Sequence, residues 1–450
     1  MASRFLRSCT PFGRGTSAPP ATTGALRSTG IPLLAVFFLL LPQAAPQALL
    51  KPAEPGQPLT LNPTDMEILE SDDARRDLPC TVTPVKPELG FDLRFHAGYT
   101  VTVPLKELEG TEDLLTVLFR VYPGDDKSNP AYFVQHFRVP SVDDDAKGDA
   151  SLQGVIDLGE GQYHVDWLIR DRGERSCSSS WDYDASLPQK DKPMMLFIAP
   201  RQIAEAIQQP FTNDGADTPR YGLGPAEHGP GPRVPGRGEQ LSVKLLVNFA
   251  PQHQDSAALQ RTDTDALVSI LKTIQRDPHV THISLVAFNM EESRILYKQE
   301  SSGAIDFSAL GHALETMKLG TVSVQHLDQR QTEAEFLGQL IQKEVAASSH
   351  SDAFIFAGPK TMLDADVPQE DLRRIGDIEC PVFYMNYNLN PQAVPWKDSI
   401  SHAIRAFKGT EYTISRPRDL WFSTSEMLDR ILRSKQQHAL SGVLNPGGSR

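Results

Sequence analysis

The chain has 450 residues, a formal net charge of −13, 40% hydrophobic and 22% charged residues, and four cysteines. The apolar content excludes full disorder and collagen-like repeats. The acidic balance excludes broad nucleic-acid binding, which needs a positive footprint, and four cysteines at this length exclude a disulfide-dense miniprotein.

The charge is uneven. Residues 1–50 hold Arg4, Arg7, Arg14 and Arg27 and no acid, so the rest of the chain carries 40 basic and 57 acidic side chains. The uncharged run Ile31–Leu41 follows, then small residues at Ala44, Ala45 and Ala48. A basic stretch, a short apolar core and small residues describe a secretory signal peptide, placed at 1–48. The apolar core is shorter than the ~20 residues that cross a bilayer as a helix. An uncleaved N-terminal anchor is the alternative, and no other membrane contact is expected. Export implies a periplasmic or secreted location and an oxidising setting. Cys80 and Cys177 fall in one strand-rich region and are paired; Cys380 is left over, at a strand start.

Residues 49–77, Pro-rich and then acidic, read as a linker. From 78 to 200, strand signals recur about every twelve residues, divided by Gly, Pro and Asp clusters. The expected strands are Gly90–Phe95, Tyr99–Pro104, Leu114–Tyr122, Ala131–Val139, Leu152–Leu158, Gln162–Asp171, Ser178–Asp184 and Met194–Ala199. That rhythm predicts an immunoglobulin-like β-sandwich. Tyr163, after Gly159 and Gly161, is placed to bond back to the turn backbone, as in a tyrosine corner. Val165, Trp167 and Ile169 alternate inward; His164, Asp166 and Arg170 alternate outward. The acids Asp143, Asp144, Asp145, Asp166 and Asp171 lack the spaced loop and Gly of a calcium site, so they read as solvated.

Residues 201–240 are a Pro/Gly-rich linker, with six prolines and seven glycines between Pro210 and Gln240. Such a stretch holds neither a helix nor a central strand. From 241 to 435, strands alternate with helices. Leu241–Asn248, Ile283–Phe288, Val322–Leu327, Ala353–Ala357 and Val382–Met385 read as strands. Leu267, Ile270, Leu271 and Ile274 mark an amphipathic helix. Asn289–Glu292 turns the chain so that Arg294–Gln299 pairs back. Thr332–Glu335 and Ser423–Glu426 read as helix caps, and 436–450 as a flexible tail. The alternation predicts a second, α/β Rossmann-like domain with a mainly parallel sheet.

The segment Ile283–Phe288 followed by Arg294–Tyr297 resembles the second and third strands of the von Willebrand factor A (VWA) domain, in the setting of secreted bacterial proteins. The resemblance covers about residues 240–435. It implies a metal site built from Asp-x-Ser-x-Ser after the first strand, a loop Thr and a later Asp. Here the first strand ends Asn248-Phe249-Ala250-Pro251-Gln252, and Gly358-Pro359-Lys360 stands where the family often has Thr-Asp-Gly. Thr321 matches the loop Thr alone. A hard divalent cation needs several oxygen ligands, so the implied site is degenerate and no metal is expected. Asn248, Gln252, Thr321, Gly358 and Lys360 remain as ligand-site loop residues for an anion or peptide carboxylate.

No Gly-x-Ser-x-Gly, Walker loop or His-Glu-x-x-His occurs, and His279 and His282 lack a third ligand at zinc-like spacing. No catalytic residue and no cofactor are assigned. The expected function is an exported, non-catalytic protein-binding or scaffold protein. A metal-dependent adhesion protein and an exported hydrolase are the alternatives.

Overall fold

Val165, Trp167 and Ile169 set the orientation of the first half of the fold. All three are fully buried, so their strand presents one face to a core. In the computed structural model the residues described are 47–50, 61–71, 73–108, 113–124, 126–128, 130–143, 146–207, 209–213, 240–252, 256, 259–317, 332–346, 351–363, 366–374, 378, 380–389 and 397–444. The stretch 1–46, residues 214–239, the expected strand Val322–Leu327, Thr321, Asp144 and Asp145 lie outside them.

The chain begins with β1 (Ala48–Leu49) and α1 (Pro63–Glu70). It then runs through β2 (Thr81–Leu89), β3 (Phe95–Pro104), β4 (Asp113–Pro123), β5 (Ala131–Val139), β6 (Asp149–Leu158), β7 (Gly161–Arg170), β8 (Ser176–Ala185) and β9 (Ile203–Glu205). These form two antiparallel sheets, β1-β5-β4-β7-β8 and β2-β3-β6-β9. Between them the Tyr99 ring meets Trp167 edge-on at 5.3 Å and Phe119 at 5.6 Å. The Tyr183 hydroxyl donates to the Gly98 carbonyl. Cys80, just before β2, is disulfide-bonded to Cys177 on β8, so the bridge ties the two sheets. The Tyr163 hydroxyl donates to the Gly159 carbonyl at 2.8 Å, the expected corner.

Several expected boundaries differ. The 49–77 stretch contains α1, which lays Ile68 and Leu69 over Leu118 and Leu168 on the outer face of the first sheet. Its Asp65 pairs with Arg170 at 3.0 Å. Gln47 and Ala48, assigned to the export segment from sequence, belong to the folded unit: Ala48 pairs with Val134. Met194–Ala199 is not a strand, whereas Ile203–Glu205 in the expected linker is one. β2 carries Pro84 and Pro87 because it is an edge strand, where a missing N–H is tolerated.

The second half comprises β10 (Leu241–Asn248), α2 (Arg261–Arg276), β11 (Val280–Asn289), β12 (Arg294–Ser302), α3 (Phe307–Leu314) and α4 (Thr332–Ile341). It continues with β13 (Ala353–Pro359), α5 (Gln369–Arg374), β14 (Val382–Tyr387), α6 (Ser399–Arg405), β15 (Thr410–Ile414) and α7 (Pro417–Leu444). Its sheet, ordered β12-β11-β10-β13-β14-β15, is mixed: β12 is antiparallel to β11 and the other pairs are parallel. Val243, Leu245 and Val247 pack on the side of α2, α3 and α7, and Leu246 on the side of α4 and α6. α7 starts at Pro417, where the Asp419 carboxylate accepts from the Ser415 N–H at 3.2 Å. Ser423–Glu426 is therefore inside this helix rather than at its cap, and the expected tail from 436 is helical to Leu444.

The expected fold class, an immunoglobulin-like sandwich followed by a Rossmann-like (VWA-like) domain on a mainly parallel sheet, is corrected. Nine of the fifteen strands lie in the two antiparallel sheets and the third sheet is mixed, so the described chain is mostly β-sandwich-like. The β11–β12 hairpin puts an antiparallel strand at the sheet edge, where the turn at Asn289–Glu292 led it to be expected. The apolar cluster under one face of β10 is continuous with the sandwich core, from Leu78 and Trp167 through Leu245 to Ile431, while the other face closes a separate cluster around Leu246, Phe356 and Ile404.

Candidate functional site

The residues singled out at the carboxyl end of the third sheet are placed as structural ties. Asn248 is fully buried; its Nδ2 donates to Thr361 Oγ1 at 3.0 Å and its Oδ1 accepts from the Met290 N–H at 3.1 Å. Gly358 lies against it, and a Cβ there would stand 2.8 Å from the Asn248 Cβ. Gln252 turns to the loop after β14, accepting from the Leu389 N–H at 2.9 Å. The structure thus brings Asn248 and Gly358 together but not Lys360. Lys360 lies in a separate hollow of about 200 Å³ with Lys397, Asp398, Ser401, His402, Arg405 and Glu411. There Glu411 accepts from Asn386 Nδ2 and Ser401 Oγ, each at 2.6 Å. Burial pushes the Asp398 carboxyl up to about 6 while it caps α6 through the Ile400 N–H. The cations of this hollow are already met by acids: Lys397 pairs with Asp366, and Lys360 and Arg405 both face Glu411.

A larger cavity, about 730 Å³, lies between the β3–β6 face of the sandwich and α2. One wall is the turn from β2 into β3. Arg94 and His96 emerge on one side of it, and the β3–β6 register sets His96 opposite Asp157. His96 Nδ1 is 2.7 Å from Asp157 Oδ1, and Nε2 is 2.9 Å from Asp92 Oδ1. Arg94 Nη1 donates to the other Asp157 oxygen at 3.1 Å. Burial opposes the charged imidazole, but its hydrogen bonds to Asp157 and Asp92 outweigh it and raise His96 to about 10. Both ring nitrogens therefore donate.

Asp92, His96 and Asp157 are the metal-capable group among the described residues. One ligand atom of each lies within 4.8 Å of the others, but the two carboxylates are each taken up by a different ring nitrogen. Arg94 already satisfies Asp157. The arrangement fits an imidazolium clamp better than a chelate.

The opposite wall is α2. Its apolar stripe faces the sheet, as the sequence spacing requires. Its other stripe, Arg261, Asp265, Val268, Ser269, Lys272 and Arg276, recurs every three or four residues and faces the cavity. Lys272 Nζ donates to the Thr212 carbonyl at 3.0 Å, and the Arg276 guanidinium lies 4.1 Å from the Phe197 ring centre. Val155 and Ile207 line the cavity while 47% and 41% exposed, two of the four large apolar side chains left exposed among the described residues. Gln47 anchors the floor by donating to the Val155 carbonyl at 2.8 Å. Its buried Oε1, and the buried Arg94 Nε, have no hydrogen-bond partner among the described residues. Sequence reasoning missed this site because a polar helix stripe reads as a solvated face. Its signal was the basic spacing Arg261, Lys272, Arg276.

No protein-family model matches the chain, and no curated protein matches it. Among solved structures, a single-residue mutant of the PilB minor pilin from Streptococcus sanguinis is similar at 8% identity and TM-score 0.26, over 83% of this chain and 82% of that one. A Paenibacillus cycloisomaltooligosaccharide glucanotransferase is similar at 11% identity and TM-score 0.17, over 71% of this chain and 46% of its own. Likenesses this slight carry no argument about fold or function. The chain is thus defined by what it contains: two antiparallel sheets joined by a disulfide, a mixed sheet, and a cleft between them. Among the described residues no helix is long and apolar enough to cross a membrane.

Proposed function

We propose that this chain is an exported, non-catalytic binding protein, periplasmic or secreted, that holds a polypeptide segment in the cleft between the sandwich and α2. The observation that carries this reading is the cavity of about 730 Å³ rimmed by exposed Val155 and Ile207. Exposed apolar side chains grouped at a concave site mark interaction surfaces. The Cys80–Cys177 bridge is compatible with an extracellular location. The alternative of metal-dependent adhesion is disfavoured because Asn248 is already bonded to Thr361 and Met290.

The test is selection of a displayed random peptide library on the full chain. Enriched peptides are expected to bind the Val155→Asn/Ile207→Asn variant at least tenfold more weakly. No enrichment over bare support, or equal binding to both proteins, refutes the reading.

A further inference from the structure

One wall of the cleft ends in a strand rim that no other strand covers among the described residues. β6 pairs with β3 along its whole length, Asp149–Leu158, but its other neighbour, β9, reaches only Ile156–Leu158. Two hydrogen bonds fix which backbone groups face this rim. The Gly159 N–H donates to the Gln202 carbonyl at 2.9 Å, and the Val155 carbonyl accepts from Gln47 Nε2 at 2.8 Å. Backbone groups alternate between the two edges of a strand, so the odd-numbered residues of β6 turn theirs outward. The N–H and C=O of Ser151 and Gln153 therefore face the rim, and among the described residues nothing pairs with them. The side chains of Ser151, Gln153 and Val155 are exposed, and the rim opens into the cavity at Gln153, Gly154 and Val155. The opposite rim of the same sheet is built differently. There β2 carries Pro84, Lys86 and Pro87, which remove two donors and add a charge, devices that keep a rim from pairing. Asp149–Val155 holds neither proline nor lysine.

We propose that the polypeptide held in the cleft binds as an added strand. An extended segment of a partner protein, rich in β-branched side chains, lies along Asp149–Gln153 in the row that β9 leaves open and runs on past Val155 into the cavity. This rests on the reading of the cleft as a polypeptide site and specifies how the segment is held. Donors and acceptors repeated every second residue along a line are matched by another extended backbone. The Val155 carbonyl is already taken by Gln47, so the backbone bonds go to Ser151 and Gln153. Alternate side chains of the added strand come beside the exposed Val155.

Fluorescence anisotropy on the full chain tests this, with a fluorescein-labelled peptide in which Thr and Val alternate over about eight residues between terminal Lys pairs. Gln153→Pro takes away the rim donor and leaves the β3 side of β6 intact, since Pro is tolerated where the N–H faces away from the ladder. It is expected to weaken the peptide about tenfold or more, the cost of a lost bond and a carbonyl left unpaired. Gln153→Thr changes only the side chain and is expected to bind within about twofold of the parent. Hydrogen exchange on the unmutated chain gives a reading that no substitution disturbs. The Ser151 and Gln153 amides should exchange fast in the free chain and slowly at saturating peptide. Equal weakening by both substitutions, or none by Gln153→Pro, overturns strand addition while leaving a polypeptide cleft standing. Slow exchange in the free chain shows the rim already covered and overturns it as well. A peptide that fails to bind the parent also overturns it, and if the displayed library enriches nothing either, the polypeptide reading falls with it.

Discussion

Lys244 is a lysine in the centre of the third sheet, and removing it gives a sharp test of how that sheet is held. It is 6% exposed and Glu344 1%. Lys244 Nζ stands 2.6 Å from Glu344 Oε2, and Lys298 Nζ stands 3.0 Å from Oε1. Glu344 lies on the π-helical turn after α4, a short element that carries it onto the β10 face. Burial alone would push its carboxyl up, but the bonds from Lys244 and Lys298 hold it below the usual range. At an effective dielectric near 20, contacts at these distances are worth about 5–6 kcal/mol each before desolvation. Desolvation removes most of that gain. Lys244→Met strands a buried carboxylate with only half its compensation and is expected to cost about 3–5 kcal/mol. Lys244→Met/Glu344→Leu removes both buried charges and leaves Lys298 at the surface, so it should recover to within about 1 kcal/mol of the parent. Urea unfolding midpoints, with slopes compared to confirm a common unfolded state, measure the difference. A double variant less stable than the single one refutes the idea that pairing, rather than packing, places these groups.

Other expectations follow from single contacts. His96→Gln should lower stability by about 1–2 kcal/mol at pH 6, a figure reduced for the exposure of the ring. Because the folded imidazole is raised to about 10, that contribution is complete below about pH 6.5 and fades as pH rises through 10. A gap between parent and variant that stays constant in urea melts from about pH 6 to about pH 10.5 contradicts this. Replacing Cys80 and Cys177 by Ser opens a link across 97 residues and should cost about 3–5 kcal/mol; unchanged calorimetric melting would be inconsistent with the bridge. Gly358→Ala drives a methyl toward the Asn248 Cβ and should destabilise by about 1–3 kcal/mol in the same melts, whereas Gly303→Ala, with its nearest neighbour at 3.8 Å, should not.

The legible parts of the fold were those written in short periods. β7 declared its buried face through Val165, Trp167 and Ile169, and Tyr163 its corner through the glycines before it. The disulfide followed from two cysteines in one strand-rich stretch. What escaped was set by distant partners. Pro84 and Pro87 argue against a strand until β2 is known to be an edge. Ile68 and Leu69 on α1 have no evident purpose until Leu118 and Leu168 are seen beneath them. Asn248 and Gly358 were found as a pair, but their polarity serves each other and Thr361 rather than a ligand. Lys272 and Arg276 look like solvent residues in sequence and line the cleft in space. The fold class misled for a similar reason: strand–helix alternation reports local order, while the ratio of antiparallel to parallel pairing and the shared core are properties of the whole chain.

The two-residue strand β1 bears on how the protein can be trimmed without harm. Ala48 and Leu49 cover the outer rim of β5, and the Leu50 N–H adds a bond to the Tyr132 carbonyl at 2.8 Å. A peptidase cut after Ala48 would take away Gln47, the Val155 tie and half of that rim. Bare strand rims recruit foreign strands. The stretch 47–50 thus both ties the cleft floor through Gln47 and covers a strand rim through Ala48 and Leu49.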